Sequence, residues 1–281
     1  MKYLVINADD VLLSPGVTRG VLRAHREGVV TSASVFTNFD QDLDEVKKLK
    51  SATDLGLGIH LNCVSGCPVS RPDDVPSLVT SKGSFYRPGV FVLRSLAGLV
   101  RYSELKREFS AQVSRFFGWG LTPTHLDVHH HMQVLPSVIR VLEDIAIKFH
   151  IPWIRLPSVA VTGSMSITGL LRSRDLPVFI AGRLLADSVG HVRRRGLNCA
   201  HRLYGVLEAG LLDFFLLYRI IDTLSSGISE IMCHPAECDN LLKERSSLGE
   251  SRVRELHALL NPGLQRLIRD RGIELTHYGR L

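Results

Sequence analysis

Short apolar runs rich in strand-forming residues alternate with segments of helical spacing along the chain. One helix is predicted to begin at Pro15, with Ser14 as its capping residue, and to end at Gly28. We predict strands over 3–7, 31–37, 55–62, 124–128, 153–156, 228–233 and 273–276, and further helices over 43–49, 105–116, 138–149, 207–224 and 253–268.

Strands that alternate with helices in this way predict an α/β fold with a mainly parallel sheet. Because the first and last strands lie far apart in sequence, the pattern favours a closed or nearly closed barrel. Segments 66–103 and 158–206 are less regular, and we predict that they are insertions above the barrel. We expect one domain over residues 1–281.

The composition is that of an ordinary soluble protein, with 45% hydrophobic and 22% charged residues. No apolar stretch is long enough to predict a transmembrane segment, and the N-terminal residues do not resemble a secretion signal. Five cysteines in no metal-binding spacing predict reduced thiols and a cytoplasmic protein.

The net charge of +6 is spread along the chain, and no nucleic-acid-binding motif is present, so nucleic acid is excluded as a partner. The densest basic run, Arg193 to Arg195, is typical of a solvated face. It also leaves a peripheral contact with an anionic membrane open. The sequence does not fix the oligomeric state, and a homo-oligomer stays among the options.

Ionisable side chains follow four of the predicted strands. Asp9 and Asp10 follow the first strand, His60 lies near the end of the third, and His234 follows the strand over 228–233. Asp127 and three histidines, His129 to His131, end the strand over 124–128. Alone, each has a structural explanation, such as a core histidine or a turn aspartate. Together they predict an active site, because barrel enzymes build theirs at the carboxyl ends of the strands.

Two histidines and one carboxylate are a common set of metal ligands that leaves coordination positions open for water and substrate. Such an ion acidifies water and polarises a carbonyl oxygen. A second carboxylate can take the proton of the water, and a histidine can protonate the leaving group. The residues therefore predict metal-assisted hydrolysis, but their spacing does not decide between an amide, an ester and a phosphate.

A set of motifs resembles the YdjC-like carbohydrate deacetylases, a family that includes chitooligosaccharide and hopanoid-associated types. The resemblance spans nearly the whole chain in order. Its main segments are Ile6-Asn-Ala-Asp-Asp, Gly58-Ile-His-Leu-Asn, Pro123-Thr-His-Leu-Asp-Val-His-His-His, Arg155-Leu-Pro and Glu230-Ile-Met-Cys-His-Pro-Ala.

The resemblance implies a distorted (β/α) TIM-like barrel related to polysaccharide deacetylases, and hydrolysis of the acetamide of an N-acetylglucosamine-containing saccharide or glycolipid. It also implies a divalent cation, usually magnesium, whereas two imidazole ligands favour zinc. Carried over by position, the metal ligands are Asp10, His60 and His129. Asp9 becomes the general base and His234 the general acid.

Two further residues, His131 and Arg155, are assigned to substrate binding. Alternate residues of an extended segment face one side, so we expect His129 and His131 to point into the site and His130 to point away.

The chain departs from the family pattern in two places. Val11-Leu12 stands where the family usually has Phe-Gly, and Gln133 stands where it often has another histidine. Neither change removes a predicted ligand, but the first is expected to alter the loop beside the metal. Two alternative functions stay open: a metal-dependent phosphoesterase, and a sugar-binding homologue with impaired catalysis.

Overall fold

The computed structural model describes residues 1–39, 43–156 and 188–281. Within these ranges, the strands form a parallel sheet that curls into a distorted barrel. The strands are β1 (Lys2–Val11), β2 (Ser32–Val35), β3 (Gly56–Leu61), β4 (Leu126–Val128), β5 (Arg202–Tyr204), β6 (Gly227–Cys233) and β7 (Ile273–Leu275). The predicted α/β barrel is therefore confirmed.

The order of the sheet is β4-β3-β2-β1-β6-β5, and β7 pairs with the first residues of β1, below the part of β1 that pairs with β2. Between β4 and β5 the barrel closes on isolated bridges, from Leu126 to Ile154 and from Trp153 to Asn198. The strand predicted over 153–156 is therefore wrong as a ladder strand. Prolines at 152 and 157 flank it, and proline cannot donate to a ladder.

The helices pack around the sheet and bury their apolar faces against it. They are α1 (Pro15–Glu27), α2 (Leu43–Ser51), α3 (Pro88–Leu96), α4 (Tyr102–Gly118), α5 (Pro136–Lys148), α6 (Ser188–Arg194), α7 (Phe214–Asp222), α8 (Asn240–Arg245), α9 (Glu250–Leu259) and α10 (Pro262–Asp270). Helix α1 begins as predicted, with the Ser14 side chain accepting the N–H of Val17.

Two helix predictions need correction. The long helix over 253–268 is two helices, because Asn261 caps α10 and Pro262 occupies its first position. The helix predicted over 207–224 begins only at Phe214, after Asp213 caps it. Residues 207–211 instead form a turn.

The first strand is longer than predicted and contains both aspartates. Its pairing with β2 shifts register between Ala8 and Val11, and Asp10 has a φ of 68°. Such a bulge places an extra residue on one strand and redirects the neighbouring side chains. As a result, Asp9 and Asp10 both line one pocket instead of facing opposite sides of the sheet.

The insertion over 66–103 contains α3 and a short 3-10 helix. Buried side chains of α4 anchor it: Glu108 accepts the backbone N–H groups of Val69 and Ser70 at 2.8 and 2.9 Å. Most of the insertion predicted over 158–206 lies outside the described residues, but its end is wrong as an insertion, because Arg202–Tyr204 forms strand β5 of the sheet. A single domain over residues 1–281 stays a prediction. No helix of the described residues is long and apolar enough to cross a membrane.

Candidate active site

Three side chains from different strands converge at the carboxyl ends of the barrel. Asp10 lies at the bulge of β1, His60 lies in β3, and His129 directly follows β4. The Oδ1 atom of Asp10 is 3.5 Å from Nε2 of His60 and 3.4 Å from Nδ1 of His129. These two ring nitrogens are 3.1 Å apart. The structure thus brings together the three side chains predicted to bind metal.

The donor set and its spacing fit a divalent ion. Ligand atoms ~2.1 Å from one ion lie about 3.0 Å apart at a right angle and about 3.4 Å apart at a tetrahedral angle. The Oδ1 atom of Asp10 is buried and forms no hydrogen bond with the described residues. A buried carboxylate oxygen left in this state is costly unless a cation satisfies it.

Asp127 orients His60 from the side opposite the predicted metal. Nδ1 of His60 lies 2.8 Å from Oδ1 of Asp127, which leaves Nε2 facing Asp10 and His129. A carboxylate behind a ligating imidazole fixes its tautomer and raises its basicity. Burial alone would lower the pKa of His60, but Asp127 and the other carboxylates outweigh it and raise the pKa to about 9.

The histidines after β4 do not continue as a strand, so the premise of an extended segment is wrong. His129–Val134 is a 3-10 segment in which His130 and His131 have φ values of 53°. The ring of His130 packs on that of His129, with centroids 4.1 Å apart, and His131 is buried. All three histidines line the pocket. A substrate contact by His131 stays a prediction.

Arg155 lies beneath the three predicted ligands, Asp10, His60 and His129. It does not line the pocket, and only 1% of its surface is exposed. Its guanidinium binds both oxygens of Asp9 at 2.7 and 2.8 Å. It also contacts Asp127 at 2.7 Å and Glu230 at 2.6 Å, and Glu230 in turn accepts the hydroxyl of Tyr278. This position gives no support to the predicted substrate contact of Arg155, because the group is sealed among carboxylates. It orients Asp9 instead.

Both aspartates are held ionised. Burial raises the pKa of Asp9, but the Arg155 guanidinium and His60 together lower it by more, so the pKa lies below its usual value. Burial also raises the pKa of Asp10, but Arg252, His129 and His234 together lower it by more, so the pKa is well below the usual range. Arg252 binds only Oδ2 of Asp10, which leaves Oδ1 for the two histidines.

His234 follows β6 and lines the same pocket. In the order of the sheet, β6 lies on one side of β1, whereas the strands of His60 and His129 lie on the other. Its Nδ1 is buried without a hydrogen-bond partner in the part of the chain that is described. Burial, followed by the nearby Arg252, lowers the pKa of His234 to about 4. The backbone N–H of His234 donates to Glu255 at 2.6 Å.

Sequence reasoning did not assign roles to several buried charges of the site. Arg252 and Glu255 lie in α9, where charged residues at helical spacing are typical of a solvated face. Glu230 lies inside an apolar strand, and this isolated charge was the one available signal that a buried partner existed. That partner is Arg155, which is distant in sequence.

The pocket above these groups has a volume of about 1230 Å³. One wall contains Asn38, Phe39 and residues 64–67, and the facing wall contains residues 207 and 209–211 of the turn before α7. Fold and site together define an α/β-barrel protein with a candidate metal centre at the carboxyl ends of its strands.

The chain belongs to the YdjC-like protein family, whose sequence model matches residues 3–270. A protein of Geobacillus stearothermophilus named carbohydrate deacetylase is 34% identical over 99% of this chain and 97% of its own length. A protein of the same name from Brevibacillus brevis is 32% identical over 99% of both chains.

The fold is also that of a solved structure from Enterococcus faecalis V583, which is provisionally named a cellobiose-phosphate cleavage protein. The TM-score is 0.82 at 27% sequence identity, and the match covers 99% of this chain and 98% of that one.

Proposed function

We propose that this protein is a metal-dependent carbohydrate deacetylase that hydrolyses the acetamide of an N-acetylglucosamine-containing saccharide or glycolipid. The observation that carries the proposal is the convergence of Asp10, His60 and His129 on one point, with Oδ1 of Asp10 left without a hydrogen bond among the described residues. The names of the relatives, which span almost the same length, support hydrolysis of an acetyl group from a carbohydrate.

Asp10, His60 and His129 would hold the divalent ion. When bound, the ion would polarise the acetamide carbonyl and acidify water. Asp9 would accept the proton of the attacking water. A carboxylate has about four lone-pair positions, so the two bonds from Arg155 and the one from Asn7 leave one acceptor position on Asp9. His234 would act as the general acid by passing this proton to the amine nitrogen as the bond to the acetyl carbon breaks, because a pKa of about 4 leaves its own ring neutral near pH 7.

The ligand set supports a divalent cation but does not select one. Two imidazole nitrogens and one carboxylate suit zinc and similar transition metals. The family resemblance implies magnesium. Metal analysis of protein purified without chelator would decide between them.

The size of the pocket supports a substrate larger than one sugar. Its volume of about 1230 Å³ exceeds the ~300–1,000 Å³ of ordinary small-molecule sites. An oligosaccharide, or a sugar that carries a lipid, would use this space better than free N-acetylglucosamine. A peripheral membrane contact would suit the glycolipid. A cytoplasmic location and a homo-oligomer stay predictions.

Acetate release from diacetylchitobiose and longer N-acetylated sugars, measured together with metal content, tests the proposal. Wild-type protein should release acetate, and His60→Ala should lose both metal and activity. Hydrolysis of p-nitrophenyl phosphate without acetate release would instead favour a phosphoesterase. Binding of the sugars without turnover would favour the impaired homologue.

A further inference from the structure

Glu255 of α9 connects two walls of the pocket. Its side chain is 1% exposed, and each carboxylate oxygen accepts a backbone N–H group. Oε2 accepts the N–H of His234 at 2.6 Å, and Oε1 accepts the N–H of Gly210 at 2.8 Å. Both donor residues line the pocket, although they lie in segments on either side of β6 and α7.

The backbone around His234 has few other N–H groups through which it could be held. Pro235 follows His234 and has no N–H group, and it restricts the backbone of the residue before it. The next N–H, that of Ala236, donates to the backbone oxygen of Arg252, also in α9. Helix α9 therefore fixes the backbone on both sides of Pro235.

A carboxylate at this buried position requires an explanation beyond packing. Burying a charged group is costly unless it is fully hydrogen-bonded, and an apolar residue here would leave both backbone N–H groups without this acceptor. Glutamine could accept only one of the two N–H groups, because its amide nitrogen is a donor. Each carboxylate oxygen thus has one N–H donor. The short span of one carboxylate therefore fixes the distance between His234 and the turn that contains Gly210.

We propose that Glu255 is a positioning residue for proton donation by His234. It holds the backbone of His234 so that the ring faces the leaving nitrogen, and it ties that position to the wall formed by residues 207–211. The inference rests on the proposed function, because it needs His234 to act as the general acid.

The test compares Glu255→Gln with a matched control. Glu108→Gln removes the same chemistry just beyond the other wall, where Glu108 is 0% exposed and accepts the backbone N–H groups of Val69 and Ser70. Each variant is assayed for kcat and KM on diacetylchitobiose and on p-nitrophenyl acetate. The ester has a good leaving group that needs little help from an acid.

We expect Glu255→Gln to lower kcat on the amide by about 10–100-fold, which is less than the ~10²–10⁴-fold that a general acid contributes because the acid itself stays in place, and kcat on the ester by less than about 3-fold. KM and metal content should change little. Glu108→Gln should affect amide and ester alike. Equal losses on both substrates in Glu255→Gln would overturn the proposal, because they would show a general loosening of the site.

The double variant separates this proposal from the proposed function. In a His234→Ala background, Glu255→Gln should cause less than about 3-fold further loss, since residues that act through one another are not additive. A fully additive loss would overturn the positioning role and leave the general acid intact. Unchanged amide turnover in His234→Ala alone would overturn both. If Glu255→Gln does not fold, Glu255→Asp keeps the charge but is too short to reach both N–H groups, and it carries the same comparison.

Discussion

Asp9 and Asp10 are neighbours in one strand, yet their surroundings differ. Both oxygens of Asp9 are bound by Arg155, and Asn7 adds a third hydrogen bond. Asp10 binds Arg252 through one oxygen only, and its other oxygen faces His60 and His129. The number of oxygens that the protein already occupies therefore distinguishes a carboxylate held in place from one that is free to bind an ion.

If this difference sets their roles, Asp10→Asn should lose metal and activity together. Asp9→Asn should keep its metal but lose about 10²–10⁴-fold in kcat, the contribution typical of a general base. Metal content and acetate release of the two variants measure this directly. Equal metal loss in both would show that the two aspartates share one role.

The two arginines should differ in what they contribute to stability. Arg155→Met leaves Asp9, Asp127 and Glu230 buried without their cation, and removal of one partner of a buried ion pair typically costs about 3–5 kcal/mol. Arg252→Met should cost less, because Asp10 keeps two imidazoles beside it and lines the pocket. Urea unfolding of both variants without metal compares them. A larger loss in the Arg252 variant would contradict this expectation.

Metal uptake should release a proton from His60. In the metal-free protein its pKa is about 9, above the ordinary value, so its protonated form stabilises the fold at lower pH and this contribution is lost as the pH rises through 9. A ligand imidazole must be neutral, so the apparent metal affinity should rise about tenfold per pH unit below that value.

Calorimetric zinc titrations at about pH 7.5, in buffers of different ionisation enthalpy, should detect about one proton released per ion. Asp127→Asn is the matched control, because Asp127 is the main group that raises the pKa of His60. Its proton release should be smaller. No release from wild-type protein would mean that His60 is already neutral.

The smallest effect concerns the turn that directly follows the bulge of β1. Leu12 has a φ of 70°, a conformation that favours glycine. It stands at the position of the glycine in the family pattern Phe-Gly. Leu12 is also buried, so its truncation costs packing in any variant. We expect Leu12→Gly to be more stable than Leu12→Ala by about 1 kcal/mol, because alanine keeps the backbone strain.

Thermal or urea unfolding of the two Leu12 variants measures this difference. At exposed helix or strand positions the usual order is the reverse, with the alanine variant more stable than the glycine variant. If the alanine variant were the more stable, the backbone at residue 12 would not be strained.

The parts of the site that could be predicted from sequence are those in which local pattern and chemistry coincide. His60 and His129 stand out because polar side chains rarely end apolar strands in several places at once. The bulge at Asp10 could not be predicted, since Asp-Asp has no local signature for a shift in strand pairing. The role of Arg155 depends on three carboxylates far away in sequence, and no local pattern records such contacts.

The same reasoning explains where the predictions of the fold were right and where they were wrong. Helix α1 was predicted because Ser14 and Pro15 are strong local signals. Residues 153–156 have the composition of a strand, but which segments close the barrel is decided by contacts with Leu126 and Asn198. The extended segment expected for the three histidines is wrong for another reason: the strand ends at Val128, whereas an alternating pattern requires extended backbone through His131.

The contacts of Arg155 also lead us to expect a particular order of folding. Arg155 pairs with Asp9 across 146 positions and with Glu230 across 75, and Tyr278 joins Glu230 across 48. Contacts between such distant positions are slow to form, because each closes a long loop of chain. During synthesis, Asp9 and Arg155 emerge well before the residues that complete their neutralisation. We therefore expect Arg155 and the carboxylates around it, close to the candidate metal site, to become native only in the last and slowest phase of folding.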